Sequence, residues 1–418
     1  MEEMRYLCID LKSFFASVEC VVRGLDPMTT PLVVADPQRG EGTICLAVTP
    51  AMKALGVKNR CRMFEIPKNL KFLQATPRMQ LYLEYSARVY GVYLDFVSEE
   101  DIHVYSVDEA FLDVGAYLKL YRTDAEGLGR RILEAVYQKT GLRAACGVGT
   151  NLYLAKVALD ITAKHAADFV GVLDQKRYQE TLWDHIPLTD FWQVGSGTVS
   201  RLARYGIFTM RDLAHFDEKW LYGEFGINAE LLIDHAKGIE TAEIRHIKAY
   251  RSHSHSLSSG QVLMRDYSAG EALVIAKEMT EELCLQMTCA NLVCSSITLQ
   301  VCYSHTQKAA PVGGTVSVEQ ETNLASQWRP LVAGLYARIT DPCLPVRRLN
   351  LCCNRVLPFL GRQLTLFDSE ASLRQGRLQQ TVAQIKCRHG KSALCKGMDL
   401  LQEATARERN RQIGGHRA

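Results

Sequence analysis

An acidic pair at the turn between two apolar segments constrains this chain more than any other feature. The segment Val104–Asp113 alternates like two short strands, and Asp108 and Glu109 lie between them. Side chains along a strand point to opposite faces, so adjacent carboxylates reach one ion only if the backbone turns or bulges between them. A second apolar strand, Tyr6–Asp10, carries Asp10 at its C-terminal end. Three carboxylates on neighbouring strands predict an oxygen-rich cation site.

The chemistry of such a site is phosphoryl transfer. Hard divalent cations such as Mg²⁺ prefer carboxylate, carbonyl and phosphate oxygens and keep positions open for a substrate triphosphate. Two ions about 3.5–4 Å apart can activate an attacking hydroxyl and stabilise the leaving group. The alternative for an isolated acidic pair is a solvated turn. Only the presence of further motifs in the same chain argues against that alternative.

The acidic residues lie within two longer motifs, Asp10–Glu19 (DLKSFFASVE) and Ser106–Asp113 (SVDEAFLD). They resemble the signature motifs of the Y-family, the bacterial translesion DNA polymerases of the DinB and UmuC type. The resemblance implies two Mg²⁺ ions per active site. It also implies that the catalytic metal ligands are Asp10, Asp108, Glu109 and the backbone carbonyl of Leu11, and that Phe15 is the sugar gate.

The nucleotide site follows from the same resemblance. A ring beside the incoming sugar rejects ribonucleotides by filling the space of a 2′-hydroxyl. The residues carried over as contacts of the nucleotide triphosphate are Phe14, Lys53 and Lys164. For Phe14 the favoured alternative is a helix start packed into the core. For Lys164, and for the nearby Lys156, the alternative is a solvated helix face. Lys12 and Pro50 depart from the usual family pattern, and Lys12 could either repel Mg²⁺ or hold a phosphate.

The predicted fold class is α+β, a multidomain right-hand polymerase. The resemblance assigns residues 1–15 and 80–173 to the catalytic palm, 16–79 to small fingers, 174–240 to a helical thumb, 241–252 to a basic linker, 253–357 to a little finger and 358–418 to a tail. Helices are predicted at 49–56, 82–97 and 125–140, and strands at 31–35, 43–48 and 143–149. No GxGxxG or GxxxxGK[ST] phosphate loop occurs.

DNA contacts are predicted in the second half of the chain. Residues 241–418 hold 22 Lys and Arg against 14 Asp and Glu, whereas residues 1–150 hold 18 against 19. Such a basic bias favours nucleic acid, although alone it is weak support. The segment around Val194–Leu202 is typical of a helix–hairpin–helix turn, and the β-α-β-β-α-β order beyond residue 255 matches the family's little finger. The residues predicted to contact DNA are Gly195, Gly197, Arg251, Arg347 and Arg348.

The segment Gln363–Phe367 (QLTLF) resembles the peptide that binds the bacterial sliding clamp. Such peptides place a few side chains into preformed apolar pockets. The predicted anchors are Gln363, Leu364, Leu366 and Phe367, and the alternative is an ordinary edge strand.

We expect a cytoplasmic enzyme, because nothing in the composition requires another compartment, and we expect it to be a monomer. No run approaches the ~20 apolar residues of a membrane span, the first residues lack the order of a signal peptide, and the 14 cysteines are scattered without zinc-ligand spacing. The predicted function is an error-prone, DNA-directed DNA polymerase that joins deoxynucleoside triphosphates to primer–template DNA and bypasses damage. The alternatives are a two-metal nuclease or nucleotide cyclase, and a catalytically silent accessory protein that binds DNA and clamp.

Overall fold

The computed structural model describes residues 4–251, 255–359 and 370–418, without the side chains of residues 370–373. The chain divides into two compact units, residues 1–251 and 252–418. Within the described residues, no helix has both the length and the apolar content needed to cross a membrane.

The first unit contains eight strands and twelve helices in its described residues. The strands are β1 Tyr6–Leu11, β2 Leu32–Val34, β3 Ala47–Val48, β4 Leu73–Ala75, β5 Ile102–Val104, β6 Glu109–Asp113, β7 Ala144–Gly149 and β8 Val170–Leu173. The helices are α1 Phe14–Val22, α2 Pro50–Ala54, α3 Met79–Leu94, α4 Leu118–Tyr121, α5 Ala125–Thr140, α6 Leu152–Val157, α7 Gln175–Thr181, α8 Ser196–Leu202, α9 Met210–His215, α10 Glu218–Phe225, α11 Asn228–Lys237 and α12 Ile244–Ala249.

A five-stranded sheet forms the centre of this unit, in the order β5-β6-β1-β7-β8. All neighbours are antiparallel except β7 and β8, which run parallel. Its central strand β1 is almost entirely buried, as its apolar sequence requires. The apolar faces of α1, α3 and α5 share one core cluster with the strands, so the predicted α+β layering is confirmed.

Local sequence signals place several helix ends where they were predicted. Asp124 accepts a hydrogen bond from the N–H of Gly127 at the start of α5, and Gly141 ends that helix with a φ of 71°. Thr49 caps α2 in the same way, through the N–H of Met52. These boundaries follow from side chains adjacent in sequence, which is why composition and spacing suffice to find them.

Two sequence-based expectations for this unit are wrong in part. The strand predicted at 43–48 is only the two residues of β3, because the N–H of Cys45 bonds the carbonyl of Cys61 and Ile44 makes an isolated bridge to Arg62. The segment 241–252, predicted as a tether, contains helix α12. Its Ile244 is buried in a cluster with Tyr6 and Cys8 of β1, so this part of the segment belongs to the folded first unit.

The second unit is built on a four-stranded antiparallel sheet in the order β11-β10-β12-β9, with β13 paired to one end of β10. Two long helices share its buried core with one face of the sheet, and the order β-α-β-β-α-β is confirmed. The elements are β9 Ser256–Tyr267, α13 Ala269–Cys289, β10 Leu292–Tyr303, β11 Val312–Thr322, α14 Ala325–Ile339, β12 Val346–Asn354 and β13 Leu357–Pro358.

The tail folds onto this unit. It contains α15 Glu370–His389, α16 Ala406–Arg409, and a small hairpin of β14 Gln412–Ile413 and β15 His416–Arg417. The carboxylate of Glu278 in α13 accepts hydrogen bonds from the N–H groups of Thr405 and Ala406, at 3.0 and 3.2 Å. Glu278 is itself buried, so residues 405–406 are part of the packed structure of the unit.

Candidate active site

Strand pairing brings the predicted carboxylates together. Asp10, near the end of β1, lies directly opposite Glu109, the first residue of β6. Directly opposed residues of antiparallel strands point to the same face of the sheet. The N–H of Leu11 donates to the carbonyl oxygen of Asp108 at 2.9 Å, and the Ser106 hydroxyl bonds the Asp108 carboxylate at 2.7 Å. The backbone turns before Glu109, as the acidic pair requires.

A row of alternating charges connects two of these carboxylates. Lys156 Nζ lies 2.6 Å from Glu109 Oε1 and 3.0 Å from Asp160 Oδ2. Lys164 Nζ lies 2.8 Å from Asp160 Oδ1 and 2.6 Å from Asp10 Oδ2. Asp160 therefore joins two lysines, each of which neutralises one predicted metal ligand.

Burial sets the electrostatics of this row. It raises the pKa of Asp10, and the negative charges of Asp108 and Glu109 add to that effect while Lys164 opposes it. The pKa of Lys164 is also raised: burial would lower it, but the charges of Asp10 and Asp160 outweigh that effect. Asp10 and Lys164 therefore form a pair of opposite charges in a poorly solvated site.

The helix that carries the lysines lies unusually close to β7. A Cβ atom on Gly147 would stand 2.0 Å from the carbonyl oxygen of Ala155, and one on Gly149 would stand 2.3 Å from the Ala155 nitrogen. Both positions require glycine because any side chain would collide with the helix backbone. Beyond α6 the helix continues as a π-helical turn, Ala158–Thr162, a feature often found at functional sites. That turn contains Asp160.

The predicted sugar gate stands on an aromatic support. Phe15 is half-buried and stacks on Tyr82, with ring centroids 4.6 Å apart. The Tyr82 hydroxyl donates to Glu19 Oε1 at 2.8 Å, and Arg78 binds the same carboxylate with two hydrogen bonds of 2.9 and 2.7 Å. Phe14 is different: its side chain is buried in the core, which is the packing that the alternative describes, and its contact with a nucleotide stays a prediction.

Two more lysines flank the carboxylates. Lys12 follows β1 and places its Nζ 3.8 Å from the centre of the Phe169 ring. Lys53 in α2 is exposed. Partial desolvation by the surrounding protein lowers the pKa of both lysines, including Lys53, whose side chain still reaches solvent. The charges of Lys53 and Lys164 lower the pKa of Lys12 further, Lys164 does the same to Lys53, and Asp10 opposes the effect on both. Positive charge therefore accumulates beside Asp10, where an anion would relieve the repulsion.

The donor set suits a hard divalent cation, because it offers carboxylate oxygens whose mutual repulsion such an ion would relieve. The side chains are not, however, gathered as a ready-made ligand set: in the ranges that the structure describes, no group of three His, Cys, Asp or Glu side chains converges closely enough to hold an ion. The lysine ammonium groups occupy two of the carboxylates instead.

The other predicted site residues belong to segments that carry none of the three carboxylates. Gly195 precedes α8 and Gly197 is its second residue, both exposed and with open space around them. Arg251 is exposed at the end of the first unit. In the second unit Arg348 is exposed on β12, whereas Arg347 is half-buried with its guanidinium 3.5 Å from Asp266. The predicted clamp anchors Gln363, Leu364, Leu366 and Phe367 fall outside the described residues.

Comparison with known proteins identifies the family. Sequence profiles of the impB/mucB/samB family and of its C-terminal domain match residues 9–160 and 254–366. The chain belongs to the impB/mucB/samB family. Its relatives include UvrX of Bacillus subtilis, named as a candidate UV-damage repair protein, which is 29% identical over 99% of this chain and 97% of its own length. A protein named DNA polymerase IV 2 from Halalkalibacterium halodurans is 29% identical over 98% of both chains.

A solved structure shows the same fold. A Y-family DNA polymerase chimera superposes with a TM-score of 0.66 at 20% identity, covering 85% of this chain and 100% of that one. The sequence-based prediction of a Y-family protein with an α+β right-hand architecture is therefore confirmed. Within this family member, the profile over residues 9–160 includes all three carboxylates and Lys156.

Sequence reasoning missed Asp160 and left Lys156 undecided. The signal that could have found them is spacing, because Lys156, Asp160 and Lys164 recur every four residues. Residues four apart on a helix are neighbours on its surface. Tyr82 begins the helix predicted at 82–97, but its stacking on Phe15 depends on a contact between distant segments that spacing does not reveal.

Proposed function

We propose that this family member is a template-directed DNA polymerase that works on damaged DNA with low fidelity. The single observation that carries the proposal is the pairing of Asp10 with Glu109 across β1 and β6, with Asp108 at the adjoining turn. The names of its relatives, DNA polymerase IV and a UV-damage repair protein, support the same activity. In this reaction the primer 3′-hydroxyl attacks the α-phosphate of a deoxynucleoside triphosphate.

Asp10, Asp108, Glu109 and the carbonyl of Leu11 would hold the metal, proposed as two Mg²⁺ ions. When bound, the ions would lower the pKa of the primer hydroxyl and neutralise the charge of the leaving pyrophosphate. The chain's own part is to position these oxygens on a rigid, buried sheet. The Asp10–Lys164 contact supports this arrangement, because it keeps a buried carboxylate charged until a cation replaces the lysine.

The lysines suit the incoming triphosphate. Lys53 and Lys164 are proposed as phosphate contacts, since an ammonium group binds phosphate as a point charge. Lys164 can leave Asp10 without losing all its partners, because it also contacts Asp160. Phe15 is proposed to exclude ribonucleotides, and its stacking on Tyr82 supports a fixed ring position.

The DNA backbone is proposed to contact the α8 turn in the first unit and the open face of the second unit's sheet. That open face carries a polar ladder: Arg348 bonds Asn350, which bonds Gln300, at 3.0 and 2.9 Å. A Thr298–Thr315 pair lies on the neighbouring strands. Such donors suit sequence-independent phosphate contacts. Gly195, Gly197, Arg251 and Arg347 remain further candidates.

The primary test is primer extension with Mg²⁺ on an undamaged template and on one with an abasic site. The wild type is expected to add the templated nucleotide, and Asp108→Ala is expected to abolish addition. Glu100→Ala, an exposed acid before β5, is the matched control and should extend normally. Conversion of nucleotide without primer or template would support the cyclase instead of the polymerase. Cleavage of the primer would support the nuclease.

A second candidate is a DNA-binding accessory protein without turnover. The lysines that neutralise Asp10 and Glu109 favour it, because they would have to be displaced before a metal could bind. Retained DNA binding without nucleotide addition by the wild type would decide for this candidate.

Clamp binding is proposed through residues 363–367. In a pull-down with a bacterial sliding clamp, Gln363→Ala combined with Phe367→Ala is expected to remove binding. Thr365→Ala changes a residue of the same segment that is not a proposed anchor, so it is the control. Equal loss in both variants would contradict the anchor assignment.

A further inference from the structure

The tail helix brings one thiol directly against another. Cys387, near the end of α15, has its Sγ 3.1 Å from the Sγ of Cys289, the last residue of α13. Both cysteines are reduced and exposed. A disulfide bond is about 2.05 Å long, so a movement of roughly 1 Å separates this contact from a covalent bond.

The two sulfur atoms meet because the chain is anchored before Cys387 within α15 and after it just beyond the end of that helix. On one side, Gln379 donates to the hydroxyl of Thr288 at 2.8 Å and accepts from the N–H of Ala325 at 2.9 Å. Thr288 is the neighbour of Cys289. On the other side, Lys391 contacts Glu282 of α13 at 3.7 Å. The sulfur contact is therefore built into the packing of the helices.

Small molecules can reach the pair. A cavity of about 660 Å³ lies between α13 and the tail, and both cysteines line it. The charged lining is mixed, with Lys386, Lys391 and Arg409 beside Glu278, Glu281, Glu282 and Asp399. Access to the pair therefore follows from the exposure of the two thiols and from the volume of the cavity.

We propose that Cys289 and Cys387 are a reactive dithiol that small disulfides convert to an intrachain disulfide. The Cys387 thiolate attacks one sulfur of the small disulfide, which releases one small thiol and leaves a mixed disulfide on Cys387. The Cys289 sulfur then attacks the Cys387 sulfur and releases the second small thiol. Two protein thiols are oxidised, one small disulfide is reduced to two thiols, and the two thiol protons pass to the products.

The order of attack follows from the surroundings of each thiol. Partial desolvation and the contact with Cys387 raise the pKa of Cys289 while the two thiols touch, so the first attack falls to Cys387. Cys387 lies between Lys386 and Arg388 in sequence. Cys289 is instead well placed as the resolving thiol, because its partner sulfur is already in contact.

The test uses the full chain with oxidised glutathione as the probe, followed by alkylation and non-reducing peptide mass analysis. The expected product is a peptide pair linked through Cys289 and Cys387 that a reductant separates. In Cys289→Ser, glutathione is expected to accumulate on Cys387 instead. Cys395→Ser removes another exposed tail thiol and should leave the linked pair unchanged.

Two results would overturn the proposal. One is a wild type that carries glutathione on Cys387 without ever forming the linked pair. The other is linkage of Cys387 to Cys395 or Cys343 as often as to Cys289. Because all the substituted side chains are exposed, unchanged thermal unfolding of the reduced variants establishes that they are folded.

A second readout is the resistance of the second unit to denaturant. Closing the chain between residues 289 and 387 restricts the unfolded state, so oxidised wild type should unfold at a higher urea concentration than reduced wild type. Neither Cys289→Ser nor Cys387→Ser should show the shift, whereas Cys395→Ser should show it. An equal shift in Cys387→Ser would assign it to glutathione elsewhere and contradict the proposal.

Discussion

Lys164 Nζ lies 2.6 Å from Asp10 Oδ2. An amine that we propose to bind phosphate therefore neutralises a carboxylate that we propose to bind metal. The two roles require the pair to separate. Asp160 lowers the free-energy cost of that separation, because Lys164 Nζ also lies 2.8 Å from the Asp160 carboxylate and keeps this partner when it leaves Asp10. The same carboxylate holds Lys156 beside Glu109. Asp160 is thus a positioning residue for both lysines.

Asp160→Asn should weaken nucleotide binding more than it slows the chemical step. Hydrogen bonds to charged groups contribute about 1.5–3 kcal/mol, and Asp160 is only partly buried, so a roughly 3- to 10-fold rise in KM for the nucleotide is expected. Single-nucleotide incorporation and equilibrium nucleotide binding measure it. Asp168→Asn removes an exposed partner of Arg130 and is the control. Unchanged nucleotide affinity in Asp160→Asn would contradict the positioning role.

Phe15→Ala should admit ribonucleotides. A change in one pocket contact typically alters discrimination by about 10- to 200-fold, and the ratio of kcat/KM for deoxy- and ribonucleotides should fall by that order. Tyr82→Phe keeps the stacked ring but loses the bond to Glu19, so a smaller loss is expected. If Phe15→Ala left the ratio unchanged while retaining activity, the gate would have to be another residue.

Much of the fold could be predicted because its signals are local. Thr49, Asp124 and Gly141 mark helix ends through bonds to their own neighbours. The turn at Asp108 could be predicted from the alternation on either side of it. Each of these signals is complete within a window of a few residues.

The rest depends on contacts between distant segments. The segment 241–252 is polar and basic, so sequence suggests a tether, yet Ile244 finds an apolar site against β1. The tail has few apolar residues, but it is held by Glu278, whose partners lie more than a hundred residues away. The lysine–carboxylate row likewise exists only because α6 and the π-helical turn pack on β7.

Gly147→Ala should damage both stability and activity. Its Cβ would lie 2.0 Å from the Ala155 carbonyl oxygen and 2.3 Å from the Leu159 nitrogen, so the helix that carries Lys156 must move. Overpacking of this kind costs about 3 kcal/mol in the free energy of unfolding. Gly91→Ala is the matched control, because Gly91 lies in α3 with open space around it. It should stabilise by about 0.5–1 kcal/mol. Equal effects in denaturant unfolding would contradict the close-packing argument.

Glu19 should make the stability of the first unit sensitive to acid. Burial alone would raise the pKa of Glu19, but hydrogen bonds from Arg78, Arg23 and Tyr82 outweigh burial and lower it below its ordinary value of 4.5. A carboxyl with a lowered folded-state pKa stabilises the fold above its unfolded-state pKa. That contribution disappears as the pH falls through the folded-state value.

Glu19→Gln should therefore destabilise the unit by about 3 kcal/mol at pH 7, because it leaves two arginines near a neutral buried group. The difference from wild type should be the same at pH 5.5 and should shrink at pH 3.5, because that pH lies below the ordinary pKa of 4.5 and protonation of Glu19 then stabilises the unfolded state of the wild type. Urea unfolding at the three pH values measures it. Glu84→Gln, an exposed change on α3, should show little effect at any pH. A wild-type advantage that persisted undiminished at pH 3.5 would mean that the Glu19 network is not held together by the charge of its carboxylate.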